Sequence, residues 1–116
     1  HRFLHAIATY ARGVFDRYLD LGVDGVGCSE DLGSQRALMI SPAMFREFLL
    51  PEYVYCFARV REAGKLIFFH SCGCVDAIAG DLAGIGVAVL NTVQARANDL
   101  RRVKAAPRRC ARRWRR

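Results

Sequence analysis

The sequence lacks several features that would place it in a special class of protein. No apolar run approaches the roughly 18 to 20 residues of a membrane span, and no secretory signal pattern opens the chain. The five cysteines are an odd number without the spacing of a disulfide scaffold, so we expect a reducing, cytoplasmic location and no membrane partner. With 53% hydrophobic and 25% charged residues, the composition is that of one globular domain.

Acidic residues are almost absent from the end of the chain. Residues 99–116 hold nine basic residues and one acidic residue, a charge of +8, whereas residues 1–98 hold nine basic and ten acidic residues, a charge of −1. We therefore predict that residues 104–116 form a basic, Arg-rich tail that is disordered or translated out of frame. Its only aromatic residue is Trp114 and it has no nucleic-acid-binding motif, so any nucleic acid should bind non-specifically through charge.

Helical patterns alternate with short apolar runs in the rest of the chain. Helices are predicted over residues 3–21, 41–63 and 75–85, and Pro51 should kink or divide the second one. Strands are predicted over residues 23–28, 65–70 and 87–90. The second strand is apolar enough to be buried on both faces, as in parallel sheets, and the third should also be buried. This alternation predicts an α/β fold with a parallel sheet.

Polar residues follow each predicted strand, where it ends. They are Glu30, Asp31, His70, Cys72, Asn91 and Gln94. Chemistry in parallel sheets collects at the carboxyl ends of the strands, whether the sheet is open or closed into a barrel. We therefore expect a site at this rim.

The densest group of candidate ligands lies between His70 and Cys74. Alternate residues of an extended chain point the same way, so His70 and Cys72 should face one side. An imidazole nitrogen and a thiolate suit zinc, which needs at least one further ligand. Cys74 could supply it, but Gly73 is expected to turn the chain before that residue. Spacing alone leaves another interpretation open, in which His70 is a buried, hydrogen-bonded histidine and the thiols are small core residues.

The adjacent carboxylates Glu30 and Asp31 could orient a substrate, transfer a proton or contact a metal ligand. Neighbouring residues point in different directions, so at most one should face the centre of a site. A solvated loop or a helix cap would equally explain both residues. Asn91 and Gln94 could serve a site or simply satisfy backbone groups at a strand end.

Several motifs in series resemble the uroporphyrinogen decarboxylase (URO-D) superfamily. They are VDGV at 23–26, SEDLGSQ at 29–35, ISP at 40–42, FREF at 45–48 with Pro51, GK at 64–65 leading to FHSCG at 69–73, and IG at 85–86 leading to LN at 90–91 and VQ at 93–94. We assign residues 1–103 to a partial URO-D-like domain. The resemblance implies part of a (β/α)8 TIM barrel, about three of its eight β/α units, and hence a fragment of a longer enzyme that we expect to be inactive by itself.

The superfamily contains two chemically different branches. Porphyrinogen decarboxylases of porphyrin and heme biosynthesis need no metal or cofactor, whereas zinc-dependent methyltransferases move methyl groups between corrinoids and thiols. The His-x-Cys motif of the second branch is matched by His70 and Cys72, and its remaining Cys ligand lies on a later strand than those matched. The resemblance thus implies zinc, a small-molecule substrate and a corrinoid protein as methyl donor.

Three function classes stay open, in this order of preference. They are zinc-dependent methyl transfer, cofactor-free decarboxylation of uroporphyrinogen, and a small basic nucleic-acid-binding module. In either enzyme we assign substrate binding to five polar residues of the rim and its loops. They are Glu30, Asp31, Gln35, Asn91 and Gln94.

Overall fold

The computed structural model describes residues 1–105 of the chain. Its elements, in chain order, are α1 (Arg2–Asp20), β1 (Gly25–Ser29), α2 (Pro42–Met44), a π-helical turn (Phe45–Leu49), α3 (Leu50–Glu62), β2 (Leu66–His70), α4 (Ala79–Gly84), β3 (Val89–Asn91) and α5 (Leu100–Ala105). The predicted alternation is confirmed, and α5 is an additional short helix. The predicted basic tail, except for Lys104 and Ala105, lies outside the described residues.

The three strands form one parallel sheet in the order β1-β2-β3. Its register pairs Ser29 with His70 and His70 with Asn91. The last residues of all three strands are therefore neighbours at one rim. The α/β class and the parallel sheet are confirmed, whereas closure of the sheet into a barrel stays a prediction.

Aromatic residues join the helices to one face of the sheet. The ring of Phe57 on α3 stacks on Phe15 of α1 and on Tyr53, with ring centroids 5.9 Å apart in both pairs. Tyr53 meets Phe69 of β2 edge to face at 5.4 Å. Phe57 and Phe69 are fully buried, and each buried side chain of this size contributes about 1.5–3 kcal/mol to stability. This cluster fixes α1 and α3 against the sheet.

The prediction that β2 is buried on both faces is wrong for the described residues. Ile67 and Phe69 are buried, but Leu66 and Phe68, which point to the other face, are 58% and 41% exposed. Val89 of β3, also predicted to be buried, is 43% exposed. Within residues 1–105, the helices cover only one of the two faces of the sheet.

The second predicted helix is divided just before Pro51, as expected. Ser41 caps its start, because its hydroxyl oxygen accepts a hydrogen bond from the Met44 amide at 3.1 Å. The π-helical turn Phe45–Leu49 ends immediately before Leu50 and Pro51. Proline has no N–H to donate and crowds the preceding turn, so the hydrogen bonding widens just before it and the chain continues directly as α3.

The third predicted helix, over residues 75–85, begins later than expected, at Ala79. The amide of Val75 donates instead to the side-chain oxygen of Asn98 at 2.7 Å. A distant side chain thus binds the segment in which the helix was expected to start. None of the helices in the described part of the chain has the length and hydropathy needed to cross a bilayer.

Candidate metal centre

Three potential metal ligands converge at the rim of the sheet. His70 ends β2, Cys72 follows two residues later, and Asp31 lies in the loop after β1. Their ligand atoms all lie within 4.8 Å of one another. His70 Nε2 is 3.6 Å from Cys72 Sγ and 3.8 Å from Asp31 Oδ1. Ligand atoms around a tetrahedral zinc ion, bound at roughly 2.0–2.3 Å, are about 3.3–3.8 Å apart, so the two distances from His70 Nε2 lie within the range of a zinc ligand set.

Hydrogen bonds between the first two loops bring Asp31 to this position. The Cys72 amide donates to Asp31 Oδ1 at 3.0 Å, and the Leu32 amide donates to Ser71 Oγ at 3.1 Å. Ser71 is fully buried, so its hydroxyl is a fixed acceptor inside the rim. The carboxylate of Asp31 is therefore tied to the same short segment that carries His70 and Cys72.

The two loops also touch through backbone atoms alone. Gly73 has a φ of +80°, a left-handed conformation that favours glycine. A Cβ atom placed on Gly73 would overlap the carbonyl group of Gly33, and one placed on Gly33 would lie 2.5 Å from the Cys74 amide nitrogen. The Cys74 amide donates to the Ser34 carbonyl at 2.8 Å. Glycine at both positions is thus what allows the β1 and β2 loops to pack together.

The predicted turn at Gly73 separates Cys74 from the other two residues. The Cys74 thiol lies 3.7 Å from Asp76 Oδ1 and is not in the cluster of Asp31, His70 and Cys72. Burial is the main cause that raises the pKa of the Cys74 thiol, and the negative charge of Asp76 adds to it. The third potential ligand of the described cluster is a carboxylate from the preceding loop, a combination that the spacing of the motif did not indicate.

Asn91 and Gln94, from the end of β3, lie beside this cluster. The side chain of Asn91 contacts His70, with 2.8 Å between Asn91 Oδ1 and His70 Nδ1. Gln94 Oε1 accepts hydrogen bonds from Gln35 Nε2 at 3.0 Å and from the Gly73 amide at 3.2 Å. The loops that follow the three strands are therefore connected by hydrogen bonds. The assignment of Gln35, Asn91 and Gln94 to substrate binding stays a prediction.

Glu30 is not in the cluster, although it is adjacent to Asp31. It lines a cavity of about 200 Å³ on the side of β1 that faces α1 and α3. Other residues of the cavity wall include Leu4, Ala11, Phe15, Cys28, Tyr53 and Cys56. Burial raises the pKa of Glu30 above its ordinary value, and it raises the pKa of Cys28 to about 12 and that of Cys56 to about 11. Both carboxylates are exposed to solvent, but Glu30 borders this cavity and Asp31 lies in the cluster with His70 and Cys72.

Sequence reasoning missed Asn98, which holds the second and third loops together. Asn98 is buried, and its amide nitrogen donates to the carbonyl groups of Gly73 at 2.9 Å and Gln94 at 3.0 Å. Its Oδ1 is the acceptor for the Val75 amide. Asn98 follows no strand directly and belongs to no spacing motif, so only the packing of the loops shows its role.

The described residues define a parallel α/β protein whose rim carries histidine, cysteine and carboxylate groups. The family model for uroporphyrinogen decarboxylase (URO-D) matches residues 1–110. The chain therefore belongs to the URO-D family. No curated protein and no solved structure gives a significant match. The family match continues beyond residue 103, and the domain boundary placed there stays a prediction.

Proposed function

We propose that this URO-D family chain belongs to a zinc-dependent methyltransferase, which transfers a methyl group from the corrinoid of a partner protein to the thiol of a small substrate. The observation that supports it is the convergence of Asp31, His70 and Cys72 at one rim. Their carboxylate, imidazole and thiol groups are the three ligand types that zinc takes from proteins. The two separations from His70 Nε2, 3.6 Å to Cys72 Sγ and 3.8 Å to Asp31 Oδ1, are close to the spacing of zinc ligands.

The exposure of the cluster is compatible with an approaching substrate. His70 and Cys72 are half-buried and Asp31 is exposed, so the ligands have one side within the protein and one side open. A catalytic zinc site keeps such an open position, in contrast to a closed structural site. Zinc held there would act as a Lewis acid that allows a substrate thiol to lose its proton near neutral pH.

The protein groups around the site would bind the substrate and take up this proton. Asp31 Oδ1 accepts from the Cys72 amide, which leaves Oδ2 to accept the thiol proton. Gln94 Oε1 already accepts two hydrogen bonds, so its amide nitrogen is the group that would donate to a polar substrate. Gln35 Oε1 would be the matching acceptor. Glu30, on the cavity side of β1, is the weakest of the predicted substrate-binding residues.

The test is the zinc content of the purified chain after loading with zinc and removal of free metal. We expect about one zinc ion per chain for the wild type, as for a single site of this kind, and loss of the ion in His70→Ala and Cys72→Ser. Cys74→Ser is the matched control, because it removes a neighbouring thiol outside the cluster and should retain the metal. Circular dichroism shows whether each variant keeps its secondary structure. Stoichiometric zinc in both His70→Ala and Cys72→Ser would refute the proposal.

Cofactor-free decarboxylation of uroporphyrinogen is the second candidate. The description of the matching family, uroporphyrinogen decarboxylase, favours it. A wild-type chain that keeps its fold, retains no zinc and binds a porphyrinogen would support this candidate over methyl transfer. The same zinc measurement therefore separates the two branches.

A further inference from the structure

We propose that Asn91 is a positioning residue of the metal centre, which holds the His70 ring with its proton on Nδ1 and so makes Nε2 the metal-binding nitrogen. The proposal rests on the metal-binding part of the proposed function, but not on the identity of the reaction. It also gives the Asn91 side chain a role other than direct contact with substrate.

The sheet itself places the two side chains together. Residues paired in the register of a parallel sheet lie side by side on the same face, and His70 of β2 is paired with Asn91 of β3. The Asn91 carbonyl also accepts a hydrogen bond from the Ser71 amide at 2.7 Å. The backbone on both sides of the contact is thus held, and the side chains meet at 2.8 Å without a flexible loop between them.

The hydrogen-bonding capacity of each group determines the position of the proton. A neutral imidazole has one N–H donor and one acceptor nitrogen, and a side-chain carbonyl oxygen can only accept. Because Asn91 Oδ1 faces His70 Nδ1, this contact favours the tautomer of a neutral ring that has its proton on Nδ1 and its free lone pair on Nε2.

The lone pair on Nε2 is on the side where the other ligands are. Nε2 lies 3.6 Å from Cys72 Sγ and 3.8 Å from Asp31 Oδ1. In the opposite tautomer the N–H of Nε2 would point between these atoms and exclude a cation. Metal-binding histidines generally donate their second N–H to such an acceptor, and removal of the acceptor typically costs 10- to 100-fold in metal affinity.

The experiment compares two substitutions at the same position. Asn91→Leu removes the acceptor at similar size, whereas Asn91→Asp keeps an oxygen acceptor in place. Cobalt(II) affinity is measured by absorption titration, with zinc as competitor. We expect Asn91→Leu to lose about 10- to 100-fold in affinity and Asn91→Asp to restore most of it. Val89→Thr is the control, because Val89 lies on the same strand and face but is paired with Phe68; its affinity should equal that of the wild type.

A second measurement reports the tautomer directly. Nitrogen-15 NMR of the wild-type chain without metal should show His70 protonated at Nδ1, and Asn91→Leu should shift the population towards the Nε2-protonated form. A wild-type ring protonated at Nε2, or equal losses of affinity in Asn91→Leu and Asn91→Asp, would overturn the proposal. If His70→Ala still retains zinc, the proposed function fails, whereas the tautomer result still decides the role of Asn91.

Discussion

At the scale of single residues, the adjacent carboxylates Glu30 and Asp31 have different neighbours, and we expect them to affect the protein in different ways. Both residues are exposed, but Asp31 accepts from the Cys72 amide, whereas Glu30 borders an apolar cavity and partial burial there raises its pKa. A raised carboxyl pKa means that the folded state favours the protonated form. The contribution of protonated Glu30 to the free energy of unfolding is therefore fully present below the ordinary pKa of a glutamate. It is lost as the pH rises through the raised pKa of Glu30.

We therefore expect Glu30→Gln to raise the thermal midpoint only slightly at pH 7, because the ionised carboxylate borders the cavity but stays exposed to water, which screens its charge. The gain should disappear near pH 4, where the carboxyl group is protonated in both the folded and the unfolded states. Thermal unfolding followed by circular dichroism at both pH values measures the effect. Glu62→Gln, at an exposed position at the end of α3, is the control and should show no such pH-dependent gain. A midpoint that falls at pH 7 in Glu30→Gln would contradict the prediction.

The thiols of the same cavity should react slowly with alkylating reagents. The pKa of Cys56 rises from 9.0 to about 11 mainly by burial, with a further contribution from the negative charge of Glu52. Two pKa units correspond to about 100-fold less thiolate at a given pH below both values, and the thiolate is the reactive form. Iodoacetamide labelling at pH 8, followed by mass spectrometry, should modify Cys56 and Cys28 much faster in denaturant than in the folded chain. Equal rates in the two conditions would contradict this expectation.

The sequence could predict which residues of a single extended segment would meet. His70 and Cys72 converge because side chains alternate along the chain, and this pattern is local. Asp31 and Asn98 could not be placed in the same way, because their positions depend on loops that are distant in sequence and touch only in the folded protein. The contact between Asn91 and His70 depends likewise on the register of the sheet.

At the scale of elements, the packing of the β1 loop on the β2 loop requires a residue without a side chain at position 73. We expect Gly73→Ala to destabilise the fold by more than the roughly 1 kcal/mol of an ordinary left-handed position, because its Cβ would also meet the Gly33 backbone. The free energy of unfolding from urea denaturation is the measurement, and zinc retention should fall with it.

Gly84→Ala is the matched control: position 84 is helical and a Cβ there meets nothing within 4 Å. This control should be neutral or stabilising by about 0.5–1 kcal/mol, and a Gly73→Ala variant as stable as the wild type would contradict the account.

Helix boundaries show the same division between local and distant causes. The start of α2 and the division before Pro51 follow from residues at the boundary itself, and both were predicted. Residues 76–78 before α4 form a turn, in which the Ile78 amide donates to the Val75 carbonyl, and the Val75 amide donates to the distant Asn98 side chain. The prediction therefore placed the helix four residues too early, at 75 rather than at Ala79.

At the scale of the whole molecule, the described sheet is covered on one face only. Leu66, Phe68 and Val89 leave apolar surface exposed on the other face, and β1 and β3 are edge strands in the order β1-β2-β3. Unpaired edges and uncovered apolar faces favour association and reduce the stability of a small fold.

We expect a broad thermal transition of low cooperativity for the monomeric 116-residue chain. A sharp, cooperative transition in a sample shown to be monomeric by sedimentation would contradict this prediction.

The error about the burial of β2 has a physical origin at this scale. A continuous apolar strand shows that both of its faces favour removal from water, but it does not show whether another layer is present to cover them. Ile67 and Phe69 meet α3 and its neighbours, whereas Leu66 and Phe68 face the uncovered side. The α/β class and the parallel order could be predicted from the alternation of elements, but the extent of the layers could not.

The contacts among the three loops also determine which part of the chain could be exchanged between proteins as a unit. Asp31, His70 and Cys72, the Asn91 contact and the Asn98 bridge all lie on consecutive β/α units of one chain segment. A designed chimera that exchanged residues 25–98 would move these potential ligands together with the groups that hydrogen-bond to them. Such an exchange would leave α1 behind, whose Phe15 packs on Phe57, so a graft that keeps this face of the sheet covered must begin at α1 (Arg2–Asp20).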